Sequence, residues 1–292
     1  MITGNTKLLG VIGHPVEHSL SPLMHNAALA KLNLDYVYLP LPIEPQNLAK
    51  ALDGFAAIGV VGFNATIPHK QAIIPLLSKI EPIARAVGAV NTVIRQDDKW
   101  IGTNTDVEGF ISPLQSLDRD WRQTNAVVLG NGGAARAVVA GCIQLGCASV
   151  RVVGRNLQKL EEFRHSWQNS PLSPLKANVQ IHQWESIPEI IKETNLLINT
   201  TPIGMYPKIE NSPINADLFL CLPKDAIVYD LIYNPSPTKF LQYARQADKA
   251  AIDGLEMLVQ QGAAALKMWL QRETVPVDVM RQTLQQQLYE RD

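Results

Sequence analysis

Three short polar clusters stand at the ends of β-like runs in the first third of the chain, where helical amphipathicity gives no reason for them. The first is Ser19-Leu20-Ser21-Pro22. Two hydroxyls at i and i+2, in an extended stretch before a helix, can both donate to one carboxylate, helped by the amino end of the helix. Helix capping by Ser21 would explain that serine and leave Ser19 without a role. The second cluster runs from Asn64 through Thr66 to His69 and Lys70, and the third is Thr103-Asn104-Thr105-Asp106, with Asn91 on the strand before it. Lys70 and Asp106 are the charged groups in these two clusters, and each has a plain reading: a loop lysine is most often a surface cation, and a first-turn aspartate favours the helix dipole whatever else it does.

A different chemistry is written in the middle of the chain. Gly130, Asn131, Gly132, Gly133, Ala134 and Ala135 give GxGxxA directly after an apolar run and at the mouth of a helical one. The first glycine permits a tight turn, the second lets backbone approach a pyrophosphate, and small Ala135 lets helix and strand pack closely. Enzymes that take NAD end the next strand in a carboxylate for the ribose 2′-OH, whereas this one ends Val153-Gly154-Arg155-Asn156. Arg155 instead supplies a cationic fork for a 2′-phosphate, with Lys159 one helical turn later. The cofactor expected is therefore NADP. Thr200, Thr201, Pro202, Gly204 and Met205 follow a third apolar strand, at the strand ends that ligands occupy in this topology.

The elements that must hold these groups read as two α/β domains, a comfortable number for 292 residues. In the first, Leu8 to Ile12, Tyr36 to Leu41, Gly59 to Asn64 and Asn91 to Arg95 read as strands, with a helix from Pro22 to Leu32 behind Ser21 as cap. This rhythm implies a mainly parallel sheet. After the polar segment Asp118 to Asn125 comes a Rossmann half: strand Ala126 to Leu129, helix Ala134 to Leu145, strand Ser149 to Val153. Helix Leu157 to Trp167 and strands Leu196 to Asn199 and Ala226 to Asp230 continue it, and Asn169 to Ala177 reads as a surface loop. Beyond Gly254 the pattern is helical through Leu270 and again from Pro276 to Leu288, a tail expected to pack back on the first domain. The division is thus 1–105 with 255–292 for substrate, and 106–254 as the NADP-binding Rossmann domain.

Bulk properties narrow the class. Hydrophobic residues make up 46% and charged residues 18%, a composition that folds rather than one that stays disordered. The 26 basic and 27 acidic side chains nearly cancel, which leaves no field to hold nucleic acid or an anionic membrane. No membrane span or signal sequence is visible, so a cytosolic location is expected. Cys142, Cys147 and Cys221 form no CxxC pair and read as structural and buried. His14, His18 and His25 crowd one region, but Pro15 breaks any helix that would align the first two, and no metal is expected.

In combination the clusters resemble the shikimate dehydrogenase family. SLSPLMHNAAL, GFNATIPHK, GAVNTV, GTNTDVEGF, VLGNGGAARAV, INTTPIGM and GLEMLVQQGA occur in that family's order, from about Gly10 to Leu270. The resemblance implies NADP-dependent, reversible reduction of the C3 ketone of 3-dehydroshikimate to shikimate, in aromatic amino acid biosynthesis. It further implies that Ser19 and Ser21 hold the shikimate carboxylate, that Thr66, Asn91, Asp106 and Gln261 bond ring hydroxyls with Thr105 in the same cluster, and that Lys70 and Asp106 are the catalytic pair. Tyr233 falls where the family places a tyrosine near the carboxylate, and Gly254 near the nicotinamide. The chain departs from the pattern at Ala65 for Val, Gly154 for Asn and Asn156 for Thr. The rival readings are a dehydrogenase acting on quinate as well as shikimate, and a non-catalytic NADP(H) sensor, which would leave Lys70, Asp106 and the serine pair without purpose. The oligomeric state is open, a homodimer being one option.

Overall fold

The computed structural model describes residues 2–168 and 178–289, so the loop expected over Asn169 to Ala177 lies outside the described residues. In chain order the elements begin β1 (Lys7–Gly13), α1 (Ser21–Lys31), β2 (Tyr36–Pro42), α2 (Leu48–Ala57), β3 (Gly62–Ala65) and α3 (His69–Ala72). They continue with β4 (Lys79–Ile80), α4 (Pro82–Val87), β5 (Thr92–Gln96), β6 (Lys99–Thr103), α5 (Asp106–Gln115), β7 (Asn125–Leu129) and α6 (Gly133–Leu145). Next come β8 (Ser149–Gly154), α7 (Leu157–Gln168), β9 (Asn178–Gln183), α8 (Ile187–Ile190), β10 (Leu196–Asn199), α9 (Ala216–Leu220) and β11 (Ile227–Asp230). The last are α10 (Lys239–Gln246), β12 (Ala250–Ile252), α11 (Leu255–Leu270) and α12 (Val277–Tyr289). The chain forms two compact units, Met1–Gly109 with Leu258–Asp292, and Phe110–Met257. Among the described residues no helix is long and apolar enough to cross a membrane.

The first unit is a six-stranded sheet in the order β2-β1-β3-β5-β6-β4. β1 runs parallel to β2 and β3, and β4 to β6, while β5 is antiparallel to both its neighbours. One face buries Ile12, Phe63, Val93 and Trp100 against Leu48 and Leu52 of α2. The C-terminal helices complete this unit, as the pattern beyond Gly254 predicts. Trp269 of α11 donates its indole N–H to the carbonyl of Val93 at 2.9 Å, and α12 packs on α1. Gly62 makes room for that indole, since a Cβ there would lie 2.3 Å from its nitrogen.

Two local expectations are corrected. Ser21 does not cap α1: it lies inside the helix, Leu20 holds the cap position without a side-chain bond, and the Ser19 hydroxyl accepts the Ser21 N–H at 3.3 Å. The strand expected from Gly59 starts at Gly62, because Gly59 has φ +72° and turns the chain out of α2.

His25, on α1, is wholly buried, stacked on Tyr38 with ring centroids 4.2 Å apart, and neither ring nitrogen has a hydrogen-bond partner among the described residues. Burial pulls its pKa down to about 3. The folded protein therefore refuses a proton that the unfolded chain accepts below its ordinary value of 6.5. Stability contributed by neutral His25 is present above that value and is lost as pH falls, by up to about 1.4 kcal/mol per pH unit. His25→Leu should flatten the fall in Tm between neutral and mildly acid pH. An unchanged slope in melts of the two proteins would reject the assignment.

The second unit is an all-parallel sheet in the order β12-β11-β10-β7-β8-β9. Counted from its first strand this is 3-2-1-4-5-6, the doubly wound order of dinucleotide-binding domains. Its central strands β7, β10 and β11 are mainly apolar, as a sheet covered on both faces requires, with Val127, Leu129, Leu197 and Val228 in the core. Cys142 and Cys147 are buried, but Cys221 is exposed, contrary to the expectation for all three.

Candidate active site

In the first unit, antiparallel pairing brings the end of β6 beside the start of β5, and so sets Thr105 and Asp106 against Asn91. Lys70 arrives on α3, shortly after β3, its carbonyl accepting the N–H of Val90 at 2.8 Å. The Lys70 Nζ donates to Asp106 Oδ2 at 2.5 Å, with the two side chains 18% and 9% exposed. The Asn91 amide nitrogen donates to the other carboxylate oxygen, Oδ1, at 2.8 Å, to the Thr105 hydroxyl at 3.0 Å and to Gln261 Oε1 at 3.4 Å. Its carbonyl oxygen accepts from the N–H of Thr105 at 2.8 Å. The arrangement fixes the rotation of the carboxylate: one oxygen is held by an amide and the other faces the ammonium. Five of the residues singled out in the sequence, Lys70, Asn91, Thr105, Asp106 and Gln261, thus share one network.

The network continues through Asn64 of the second cluster and through Thr92 and Tyr38, which the sequence did not single out. The Thr92 hydroxyl lies 3.0 Å from both Asn91 Oδ1 and Thr105 Oγ1, and accepts from the Asn64 amide at 3.0 Å. Asn64 Oδ1 in turn accepts from the Tyr38 phenol at 2.7 Å. Burial pushes the Tyr38 phenol well above its ordinary range, and a hydrogen bond with the Ser21 hydroxyl opposes that shift. The serine cluster is therefore linked to the lysine–aspartate pair through Tyr38 and Asn64. Thr66 sits in the loop between, its N–H bonded to the carbonyl of Ile12 at 2.9 Å. Asn104 orients Asp106 from behind, accepting its N–H at 3.0 Å. Thr92 and Tyr38 read in sequence as ordinary strand residues, and only the pairing register shows where their polar atoms point. Of the clustered histidines, His25 is buried in the core while His14 and His18 are exposed.

In the second unit the glycine turn fits a dinucleotide phosphate. Gly130 has φ +106°, which L side chains rarely adopt, and a Cβ there would press on the Thr200 hydroxyl at 2.8 Å. Gly132 holds the cap position of α6 with no side-chain bond to the helix, and open space surrounds it. The first N–H groups of α6, from Gly133 and Ala134, are thereby left for an anion, while Ala135 is buried against the sheet. Thr200 donates its hydroxyl to the Leu129 carbonyl at 2.7 Å, which ties the loop of Thr200, Thr201, Pro202, Gly204 and Met205 to the glycine turn. Arg155 is exposed at the end of β8, its guanidinium over the Trp184 ring at 5.8 Å, and Lys159 follows in the first turn of α7. Tyr233 follows β11, and Gly254 stands where a Cβ would lie 2.0 Å from the carbonyl oxygen of Leu231.

Residues 11–93 match the model of the shikimate dehydrogenase substrate binding domain, and 254–285 that of the shikimate 5′-dehydrogenase C-terminal domain. A relative from Trichormus variabilis, shikimate dehydrogenase (NADP(+)), is 65% identical over 289 residues, 99% of each chain. The chain belongs to the shikimate dehydrogenases. Another member, from Nostoc, is 66% identical over 97% of this chain and 98% of its own. A shikimate dehydrogenase solved in complex with NADP⁺ has a TM-score of 0.89 at 38% identity, covering 99% of this chain and 98% of that one. The Thermus thermophilus enzyme, in complex with NADP(H) and shikimate, has a TM-score of 0.83 at 31% identity, covering 96% and 99%.

Two of the departures from the usual shikimate dehydrogenase pattern acquire local reasons. A Cβ at Gly154 would lie 3.0 Å from a methyl of Leu160, so the close seating of α7 on β8 favours glycine. Asn156 accepts the N–H of Lys159 at 2.9 Å and so caps α7, a task that threonine could share.

Proposed function

We propose that this shikimate dehydrogenase catalyses the NADP-dependent, reversible reduction of 3-dehydroshikimate to shikimate. The observation that carries the reading is the Lys70–Asp106 contact, held by Asn91 within the substrate-binding unit. When bound, NADPH supplies the hydride that C3 of the substrate receives. Gly130, Gly132 and the amino end of α6 would hold its pyrophosphate, Arg155 and Lys159 its 2′-phosphate, and Thr200 to Met205 with Gly254 its nicotinamide end.

The chain's own groups manage the proton. Negative charge builds on the C3 oxygen as the carbonyl is reduced, and the Lys70 ammonium both stabilises that charge and delivers the proton, leaving a neutral amine that is reprotonated from solvent. In the oxidative direction the amine takes the hydroxyl proton. Asp106 keeps the ammonium aimed and accepts from a ring hydroxyl, its own rotation set by Asn91. Ser19 and Ser21 donate to the ring carboxylate, and Thr66 and Gln261 bind the remaining hydroxyls.

The test is a single assay: shikimate with NADP⁺, followed by NADPH absorbance, beside quinate with NADP⁺ and shikimate with NAD⁺. The expected order is fastest with shikimate and NADP⁺. Absence of NADPH formation from shikimate, or a preference for quinate, would overturn the reading.

A further inference from the structure

At the carboxyl ends of β10 and β11, where a doubly wound sheet receives the second half of its dinucleotide, one buried carboxylate gathers the chain. Asp230, closing β11, is fully buried. Its Oδ1 accepts from the Asn199 amide at 3.0 Å and from the N–H of Ile232 at 3.1 Å, and its Oδ2 from the Thr238 hydroxyl at 2.6 Å. Asn199 passes the connection on. Its Oδ1 accepts from the N–H of Thr201 at 3.0 Å and from the Thr201 hydroxyl at 2.7 Å, and its amide reaches the carbonyl of Ile203 at 3.3 Å. Thr238 caps α10 by accepting the N–H of Leu241 at 3.3 Å. The Gly254 N–H donates to the carbonyl of Ile232 at 3.1 Å, and the missing Cβ of Gly254 lets the two segments touch.

Segments 200–205, through Asn199, and 231–238 therefore meet at one carboxylate that has no ion-pair partner among the described residues, and 252–254 joins them through Ile232. We propose that Asp230 is a positioning residue for the nicotinamide end of NADP(H): ionised, it holds the 200–205 and 231–238 loops in the arrangement that receives the cofactor, and protonated, it lets them loosen. This rests on the NADP reading above. A protonated carboxyl must place its own hydrogen in the network. The Thr238 hydroxyl, which already accepts from Leu241, then loses the acceptor for its proton, and a buried donor without an acceptor destabilises the arrangement.

The switch falls in an accessible range. Burial pushes Asp230 up to about 7, the charge of Asp253 adds to the rise, and the bonds from Thr238, Ile232 and Asn199 oppose it. Asp253, from the segment before α11, is the charged group that faces it. Its carboxylate is itself bonded to the Ser236 hydroxyl at 2.6 Å. Lys239 on α10 lies over the Tyr243 ring instead, Lys249 before β12 donates to the carbonyls of Leu222 and Pro223, and Leu196 to Met205 carry no charge.

The decisive measurement is the Kd of NADPH by its own fluorescence from about pH 8 to about pH 6, for the wild-type protein, Asp230→Asn, Thr238→Val and Thr238→Ser. Wild type should weaken about tenfold over that range, a difference of about 1.4 kcal/mol. Relative to the background that all four share, Asp230→Asn and Thr238→Val should stay at the weak value across the range, so that their Kd ratio to wild type falls about tenfold from about pH 8 to about pH 6, and Thr238→Ser should follow wild type. The titration of the 2′-phosphate is common to all four and cancels in the comparison. If Asp230→Asn fails to fold, the two Thr238 variants decide. Profiles that overlay wild type, or variants that lower Tm and leave the Kd profile unmoved, overturn the inference. Shikimate oxidation by wild type at one pH separates that failure from failure of the functional reading.

Discussion

Lys70→Ala should lower kcat by about a hundred- to ten-thousand-fold, while the KM for shikimate moves only a few-fold. The ammonium is placed against Asp106 at 2.5 Å by a short helical turn whose backbone is tied to Val90, just before β5. An alanine at the same position keeps that backbone bond, so the loop should stay in place. Asp106 would keep its bond from Asn91 at 2.8 Å and its N–H on Asn104, so the hydroxyl-binding carboxylate survives the substitution. What disappears is a charge and a proton that matter most when the C3 oxygen is negative, an interaction stronger in the transition state than in the bound substrate. Lys70→Arg separates the two contributions: it restores a cation that is effectively never deprotonated, so it should recover little turnover. Steady-state kinetics in both directions would check this. A rise in KM with kcat intact would reduce Lys70 to a binding residue.

The parts of this molecule that were legible in the sequence are those where local pattern and tertiary role agree. A five-residue apolar strand, a glycine turn and a thirteen-residue helix leave one reading of β7 and α6, and the structure follows it within a residue. β6 was missed because its hairpin lacks the usual Asn-Gly signal. Asp97 and Asp98 take φ +49° and +57°, the two left-handed residues that a tight two-residue hairpin needs, from side chains that seldom supply them. β9 and β12 are edge strands, the first polar and the second alanine-rich, and gain their identity from a neighbouring strand rather than from propensity.

The candidate site divides the same way. Lys70, Asp106 and Asn91 stand at strand ends, where unexplained polarity is visible. Thr92, Tyr38 and Asp230 lie inside or at the end of apolar runs, where a polar residue looks like an exposed strand position until the sheet is assembled, and Thr238 stands in a Ser-Pro stretch where it looks like a helix cap alone. Ser21 misled in the opposite direction. A serine before a proline at a helix start fits a cap, but Leu20 already has helical dihedrals, so the first turn begins earlier and Ser19 takes over the N–H.

Arg155→Ala should raise the KM for NADPH by about ten- to a hundred-fold and leave that for NADH within about twofold, because one or two charge-assisted hydrogen bonds of about 1.5–3 kcal/mol each are lost only where a 2′-phosphate is present. The chain offers that phosphate few substitutes. Gly154 has no side chain to donate, and the turn of Asn156 is fixed by its oxygen, which caps α7. Cofactor choice should therefore rest chiefly on the Arg155 guanidinium, with Lys159 as the second cation; the guanidinium is exposed and lies over the Trp184 ring at 5.8 Å. Trp184→Leu keeps the charge and removes the platform, so it should give a smaller rise, again confined to NADPH. Equal losses with both cofactors for Arg155→Ala would mean that the guanidinium supports the shape of the β8–α7 turn and does not read the phosphate.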